Sequence, residues 1–267
     1  MSSALHDHVI RQIAECLVGH NETLTNLIQV SQRFYGLRDI FLGQIVLSGR
    51  ASEHAYASRP YGWNKIHTMM LYHQEGPQTS TVDVVALGSG TLRNLHLGFW
   101  YNIVDVTPLK FIRQIAITSC NSIVDFSPLG LVHDLILDSC SNISDVSFFK
   151  NVRILSLVGL SINDVSALAS GGSVDFLTLF DCPNISDVSA LRNIPFLSLC
   201  YLLIHDVSAL GSVYSLTIES CHNILDVSAL HSVPSLTLFE CNGISDVSAL
   251  RNVFSKLQSP LALSTNI

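Results

Sequence analysis

The stretch that decides the fold is residues 221–253, "CHNILDVSALHSVPSLTLFECNGISDVSALRNV". It holds two versions of one seven-residue word, "ILDVSAL" and "ISDVSAL", twenty residues apart. The aspartate of related words recurs along most of the chain, at Asp83, Asp105, Asp125, Asp145, Asp164, Asp187, Asp206, Asp226 and Asp246. Successive aspartates are 19 to 23 residues apart. Such a regular period predicts a solenoid, in which stacked units bury the apolar face that one unit cannot bury alone.

Each unit can be written L-x-L-x-x-C-x-N-I-x-D-V-S-x-L. Its first two apolar positions alternate with other residues, which is the pattern of a short strand with one buried face. These pairs are Leu95/Leu97, Ile115/Ile117, Leu135/Leu137, Leu155/Leu157, Leu177/Leu179, Leu197/Leu199, Leu216/Ile218 and Leu236/Leu238. We therefore expect one strand in every unit.

A second ladder lies five residues before the aspartates. It consists of Cys120, Cys140, Cys182, Cys221 and Cys241, with Trp100 in the same place once. In the two 19-residue units, Leu160 and Leu202 align with it. A position that accepts Cys, Leu or Trp is a packing position, since a buried thiol behaves as a small hydrophobe. The chain has seven Cys and no CxxC, so we expect reduced thiols and no metal or disulfide.

The aspartate ladder also has a structural interpretation. An Asp before a short V-S-x-L turn can accept hydrogen bonds from the first amides of a helical or 3-10 segment. We expect this role, not catalysis or calcium binding, for Asp105, Asp125, Asp145, Asp164, Asp187, Asp206, Asp226 and Asp246. The net charge of −7 then belongs largely to the scaffold and does not by itself indicate a basic partner.

The repeat resembles leucine-rich repeats at the short end of their length range, most closely the internalin-like and Cys-containing classes. The resemblance covers residues 82–257. It implies an α/β solenoid whose parallel strands line a concave face. The step from Leu230 to the next strand position, Leu236, is six residues, which is too short for an ordinary helix. We therefore expect tight turns or 3-10 segments on the convex side.

The outward strand positions are the candidate target-binding site. In the later units the positions after the second apolar residue are rich in aromatic and acidic side chains, and exposed aromatics near charges mark interaction sites. The candidates are Phe180, Asp181, Cys200, Tyr201, Glu219, Phe239 and Glu240. An alternative is that Phe180 and Phe239 simply pack on neighbouring units.

The N-terminal segment has a different period. Val9, Ile13 and Leu17 have helical spacing, and Leu24 and Leu27 begin a second helical pattern after a break. We assign residues 1–48 to a helical domain and residues 82–267 to the solenoid. Residues 49–81 are either a linker or degenerate first repeats, of which "WNKIHTMMLYHQ" is a candidate.

The helical segment resembles an F-box, although the usual Leu-Pro start is replaced by Leu-His. The residues that fit are Leu5, Ile13, Leu17, Leu24, Leu27, Val30, Ser31, Arg33 and Phe34. The resemblance implies that Leu5, Ile13, Leu17, Leu24, Leu27, Val30 and Phe34 dock a Skp-family linker protein of a cullin (SCF-type) ubiquitin ligase. The chain would then be the adaptor that binds the target protein. The alternative is a helical cap, because solenoids need capped ends.

Other classes of function find little support in the sequence. There is no Gly-rich phosphate loop, G-x-S-x-G or H-E-x-x-H motif, so we expect no enzyme and no cofactor. Residues 61–267 carry the whole net negative charge, so we expect no nucleic-acid partner. The sequence suggests neither a signal peptide nor a membrane helix. We expect a cytoplasmic or nuclear monomer, with a secreted internalin-like ligand and a stand-alone binding scaffold as alternatives.

Overall fold

The computed structural model describes residues 44–48, 68–72, 84–88 and 92–251. The F-box-like residues from Leu5 to Phe34 and the ladder residue Asp83 lie outside these ranges. Among the described helical segments, none is long and apolar enough to cross a membrane.

The described chain is built on one parallel sheet of ten strands, whose spatial order follows the sequence. The strands are β1 Gln44–Ser48, β2 Thr68–Tyr72, β3 Asn94–Gly98, β4 Gln114–Thr118, β5 Asp134–Asp138, β6 Ile154–Val158, β7 Phe176–Phe180, β8 Phe196–Cys200, β9 Ser215–Glu219 and β10 Ser235–Phe239. All have five residues. The expected strand in every unit is thus confirmed from β3 to β10.

The sheet begins earlier than the repeat words. Strand β1 lies inside the range 1–48, which the sequence assigned to a helical domain, so that assignment is corrected at its end. Strand β2 lies inside 49–81 and pairs with β1 and β3. Ile45 and Leu47 are in register with Met69 and Leu71, but the residues between them, Val46 and Met70, are apolar as well. These two strands therefore extend the parallel sheet of the repeats towards the N-terminus.

The opposite layer consists mainly of 3-10 turns, as expected from the short connections. They span Thr107–Phe111, Ser127–Leu131, Ser147–Asn151, Ser166–Ala169, Ser189–Asn193, Ser208–Ser212, Ser228–Ser232 and Ser248–Leu250. A five-residue α-helix, Val84–Gly88, occupies the equivalent place earlier in the chain and contacts the first 3-10 turn. In a typical turn, the amide of Leu230 donates to the carbonyl oxygen of Val227 at 3.0 Å.

The hydrophobic core lies between the two layers. The second and fourth residues of each strand from β3 to β9 are buried. The second and fifth residues of the words that begin at Asp105 to Asp226, which are Val or Phe and Leu or Phe, are buried as well. The Cys ladder fills the same core: Cys120, Cys140, Cys182 and Cys221 are completely buried. Each ladder Cys donates its thiol hydrogen to a carbonyl oxygen of the preceding strand at 3.5–3.8 Å. Trp100 continues this column by donating from Nε1 to the carbonyl oxygen of Leu71 at 3.0 Å.

Candidate protein-binding face

The outer sheet face, which we define as the first, third and fifth residues of strands β3–β10, is the surface left free by the core. The strands are in register throughout, so these residues form three rows that run across the sheet. Units of 19, 20 and 22 residues keep this register, because the extra or missing residues fall in the connections. The rows therefore place side chains from distant sequence positions side by side.

A fourth row follows the end of each strand. The residue after the strand has a positive φ of 50–62° in every unit from β3 to β10, and only one of these eight residues is glycine. The others are Phe99, Ser119, Ser139, Asp181, Tyr201, Ser220 and Glu240. Their left-handed backbone costs about 1 kcal/mol or more each. It is held in place because most of their amides donate to the last carbonyl of the next strand, as Tyr201 does to Glu219 at 2.9 Å.

The fifth strand residues and this following row together form what we call the carboxyl rim. All seven residues predicted as target-binding lie on the carboxyl rim of β7–β10. Phe180, Cys200, Glu219 and Phe239 are consecutive partners in the sheet register. Asp181, Tyr201 and Glu240 belong to the row beside them. The sequence reasoning therefore selected residues that the fold brings together.

Two aromatic side chains form the centre of this rim. The ring centroids of Phe180 and Tyr201 are 5.0 Å apart, and the rings are tilted by 51°. Phe180 is 37% exposed and Tyr201 is 46% exposed, so both rings remain accessible despite this contact. Phe239, the last residue of β10, is 37% exposed. Phe180 therefore packs against Tyr201 of the neighbouring unit and still keeps part of its side chain exposed.

Cys200 has a different position from the other six candidates. It lies on the outer sheet face, but only 6% of the residue is exposed. Its sulfur is 3.4 Å from the Ser198 hydroxyl and 3.9 Å from Oε2 of Glu219. Burial is the main cause that raises the pKa of its thiol. We therefore place Cys200 beneath the accessible surface, where it supports the neighbouring aromatic and acidic side chains.

The charges of this region are all negative. Asp181 and Glu240 are exposed and Glu219 is partly exposed. No Lys, Arg or His occurs on the carboxyl rim of β3–β10, and none of these three carboxylates forms an ion pair within the described part of the chain. The hydroxyl of Ser220 donates to Oε2 of Glu240 at 3.4 Å. The carboxyl rim of β7–β10 thus combines aromatic side chains with carboxylates that form no ion pair among the described residues.

A second aromatic row was not predicted from the sequence. Phe176 and Phe196, the first residues of β7 and β8, stack with their centroids 4.2 Å apart and an angle of 10°. Tyr214 contacts Phe196 edge-on, with the centroids 5.6 Å apart. The sequence reasoning considered only the positions after the second apolar residue of each strand. The signal was present, because an outward residue also precedes each apolar pair.

Three arginine residues lie near the opposite ends of the strands. Arg93, Arg113 and Arg153 each precede a strand directly. Arg153 donates from Nε to Oδ2 of Asp175, and His133 lies against Asp134. At the amino ends of the strands, bases therefore stand beside acids such as Asp134 and Asp175, whereas the carboxyl rim of the later strands carries acids without bases.

The aspartate ladder has the structural place that the sequence predicted. In eight successive units Oδ1 accepts a hydrogen bond of 2.7–2.8 Å from the amide two residues further on. The accepting residues are Asp105, Asp125, Asp145, Asp164, Asp187, Asp206, Asp226 and Asp246. Their hydrogen bonds begin the 3-10 turns. Within the described ranges, no group of three or more His, Cys, Asp or Glu residues could hold a metal ion.

No protein-family model matches the chain, and no curated protein matches it. Among solved structures, an internalin (inlF) from Listeria monocytogenes superimposes with a TM-score of 0.55 at 19% sequence identity. The alignment covers 79% of this chain but only 64% of that internalin. An internalin C2 (inlC2) from the same species covers 73% of this chain and 71% of its own at 21% identity, with a TM-score of 0.35 that is too low to bear on the fold. The repeat, the register and the first of these similarities together show that the chain has a leucine-rich-repeat solenoid fold.

Proposed function

We propose that this chain is a non-catalytic interaction protein that binds a target protein on its outer sheet face at β7–β10. The observation that supports this most directly is the pair of exposed aromatic rows, one at each end of these strands. In protein interfaces, most of the affinity comes from a few side chains, often aromatic, that the partner shields from water. These side chains are not part of the hydrophobic core, which includes the second and fourth residues of β3–β9 on the opposite face of the sheet.

We further propose that the N-terminal segment makes the chain an adaptor of a cullin (SCF-type) ubiquitin ligase, in the cytoplasm or nucleus. This part is supported by the F-box resemblance of Leu5, Ile13, Leu17, Leu24, Leu27, Val30 and Phe34, followed in sequence by leucine-rich repeats. Ubiquitin transfer itself would belong to other subunits. The alternative is a stand-alone scaffold whose N-terminal residues only cap the solenoid.

Co-purification with a Skp-family linker protein tests the adaptor proposal. The full chain is compared with a variant that carries Leu17→Asp and Phe34→Asp, and circular dichroism checks that both are folded. A one-to-one complex that is lost only in the variant supports the adaptor. Absence of binding by the folded parent chain contradicts it and favours the stand-alone scaffold.

Target binding is tested separately on the repeats. The tagged full chain is used to capture proteins from a eukaryotic extract, in parallel with the double variant Phe180→Ala/Tyr201→Ala. Phe111→Ala is the matched control, since Phe111 is 79% exposed but lies at the end of a 3-10 turn. A protein retained by the parent and the control but not by the double variant supports binding at the outer sheet face. Equal capture by all three places the target elsewhere.

A further inference from the structure

The carboxyl rim of β7–β10 combines aromatic rings with carboxylates that have no cationic partner among the described residues. We propose that it binds the side chain of an arginine or lysine of the target protein, with the cationic group against Phe180 and Tyr201. This inference rests on the proposed function and adds the chemistry of the residue that is recognised.

The aromatic pair supplies the surface on which a cation can lie. A guanidinium or ammonium group over the face of an aromatic ring is attracted by the negative charge density of that face. The tilt of 51° between the Phe180 and Tyr201 rings presents two ring surfaces that are not parallel. A long side chain can therefore place its methylene groups against one ring and its charged end against the other.

The neighbouring acids surround this pair. Asp181 follows Phe180 directly, and Glu219 is the strand partner of Cys200, the residue before Tyr201. Neighbouring strands are about 4.8 Å apart, so the backbone positions of both acids lie within one or two strand spacings of those of the ring pair. Glu240 and Phe239 extend the same arrangement to the edge strand. Unlike Asp175, which is paired with Arg153, these acids have no cationic partner in the part of the chain that is described.

The same rim in the earlier strands lacks this combination. From β4 to β6 it carries Thr118, Ser119, Asp138, Ser139, Val158 and Gly159, with one acid and no aromatic ring. The site is therefore local to β7–β10 and does not follow from the repeat itself. It also gives a matched control position, since Asp138 occupies the fifth strand residue, as Glu219 does.

The charge of the rim selects the class of partner. A nucleic acid or a phosphorylated segment would bring negative charge against Asp181, Glu219 and Glu240 and would be repelled. A basic protein segment is attracted by the same field. Arginine is favoured over lysine because its planar guanidinium can stack on a ring and bind a carboxylate with two hydrogen bonds at once.

An NMR titration of the full chain tests the proposal. The probe is N-acetyl-arginine amide, and N-acetyl-citrulline amide is its uncharged control of the same shape. Ring signals of Tyr201 are assigned by their loss in Tyr201→Phe. We expect saturable shifts of the Tyr201 ring with the arginine probe and little change with the citrulline probe.

Charge variants complete the experiment. In Glu219→Gln/Glu240→Gln we expect the arginine affinity to fall about threefold, as the loss of partly exposed charge pairs allows. In Asp138→Asn it should stay unchanged. Equal shifts with both probes, or no saturable shift with arginine, would overturn the proposal. If the target is captured through Phe180 and Tyr201 but arginine and citrulline behave alike, the binding face stands and only the cation site fails.

Discussion

Oδ1 of Asp226 accepts a hydrogen bond of 2.7 Å from the amide of Ser228, and this contact joins the end of one connection to the start of a 3-10 turn. The same geometry recurs in eight successive units, from Asp105 to Asp246. The carboxylates are exposed, so the ladder could be mistaken for a cation-binding surface. Because Oδ1 of each ladder aspartate already accepts a hydrogen bond from a backbone amide, the contact instead indicates a role in the turn.

Removing one of these carboxylates should destabilise the fold and leave binding intact. We expect Asp226→Ala to lower the melting temperature by on the order of a few degrees, because the amide of Ser228 loses its acceptor. Asp226→Asn, which keeps an oxygen in place, should change it less. Thermal unfolding followed by circular dichroism measures both. Normal stability combined with lost target capture would contradict the structural role.

The ladder also predicts how stability depends on pH. Seven ladder aspartates have a pKa below the ordinary value of 3.8, because each accepts hydrogen bonds from the residue two places further on. At Asp226 the backbone amide of Ser228 has the larger effect, and at Asp105 the hydroxyl of Thr107 has the larger effect. The other five are Asp125, Asp164, Asp187, Asp206 and Asp246. A carboxylate whose pKa is lower in the folded than in the unfolded state contributes its full stabilisation when the pH is above the unfolded-state pKa. That contribution is lost as the pH falls below 3.8 through the folded values.

Urea unfolding at pH 5.5 and at pH 3 should therefore show a lower midpoint at the acid pH. The variant Asp206→Asn/Asp226→Asn removes two titrating groups and keeps their acceptor oxygens, so its midpoint should change less between the two pH values. A midpoint that rises as the pH is lowered to 3 would be opposite in sign and would contradict the prediction.

The buried thiols should react slowly in the folded protein. Burial raises the pKa of Cys120 to about 12 and that of Cys221 to about 11, and the thiolate is the reactive form. We expect iodoacetamide at pH 8 to label Cys241, which is only partly buried, before Cys120 and Cys221. Peptide mass spectrometry follows each site. Urea should make all three thiols react at similar rates. Equal rates without urea would mean that Cys120 and Cys221 are accessible to the reagent in the folded protein.

Two adjacent phenylalanines test the core against the surface. Phe149 is completely buried, whereas Phe148 is 46% exposed. Phe149→Ala should lower the free energy of unfolding by about 3–5 kcal/mol, since it leaves a cavity in the stack. Phe148→Ala is the control and should have a much smaller effect. Urea denaturation measures the free energy of unfolding of both variants. Similar decreases would contradict the assignment of Phe149 to the core and of Phe148 to the surface.

A glycine in a 3-10 turn marks a close approach of two units. A Cβ at Gly130 would lie 2.2 Å from the carbonyl oxygen of Phe148, so Gly130→Ala must displace the next unit and should cost about 2 kcal/mol or more. Gly171→Ala is the control, because its φ of 68° is strained for alanine but nothing lies within 4 Å. Its loss should be nearer 1 kcal/mol. Equal losses would mean that backbone strain alone explains both.

The repeated words predicted much of this structure, since each buried position has a chemical signature. Alternating pairs such as Leu216/Ile218 indicated strands, and the Cys and Asp ladders indicated a packing position and a turn. Strand β1 could not be found in this way, because Ile45 and Leu47 come without an aspartate word. The left-handed residues could not be found either, because glycine, the usual signal for positive φ, is present at Gly159 but replaced by Tyr201 and Glu240 elsewhere. The aromatic contact of Phe176 with Phe196 required the register, which sequence spacing alone did not supply.

The 19-, 20- and 22-residue units place their strands in one common register, so changes of length are absorbed in the connections. A unit can therefore gain or lose a residue there without moving any side chain of the outer sheet face. The face can also change in chemistry without change in the core, because none of its three rows belongs to the buried cluster. Such a scaffold allows recognition to diversify by point substitution while the architecture stays constant. Whole units could be added or removed to lengthen or shorten the recognition surface in steps of one strand.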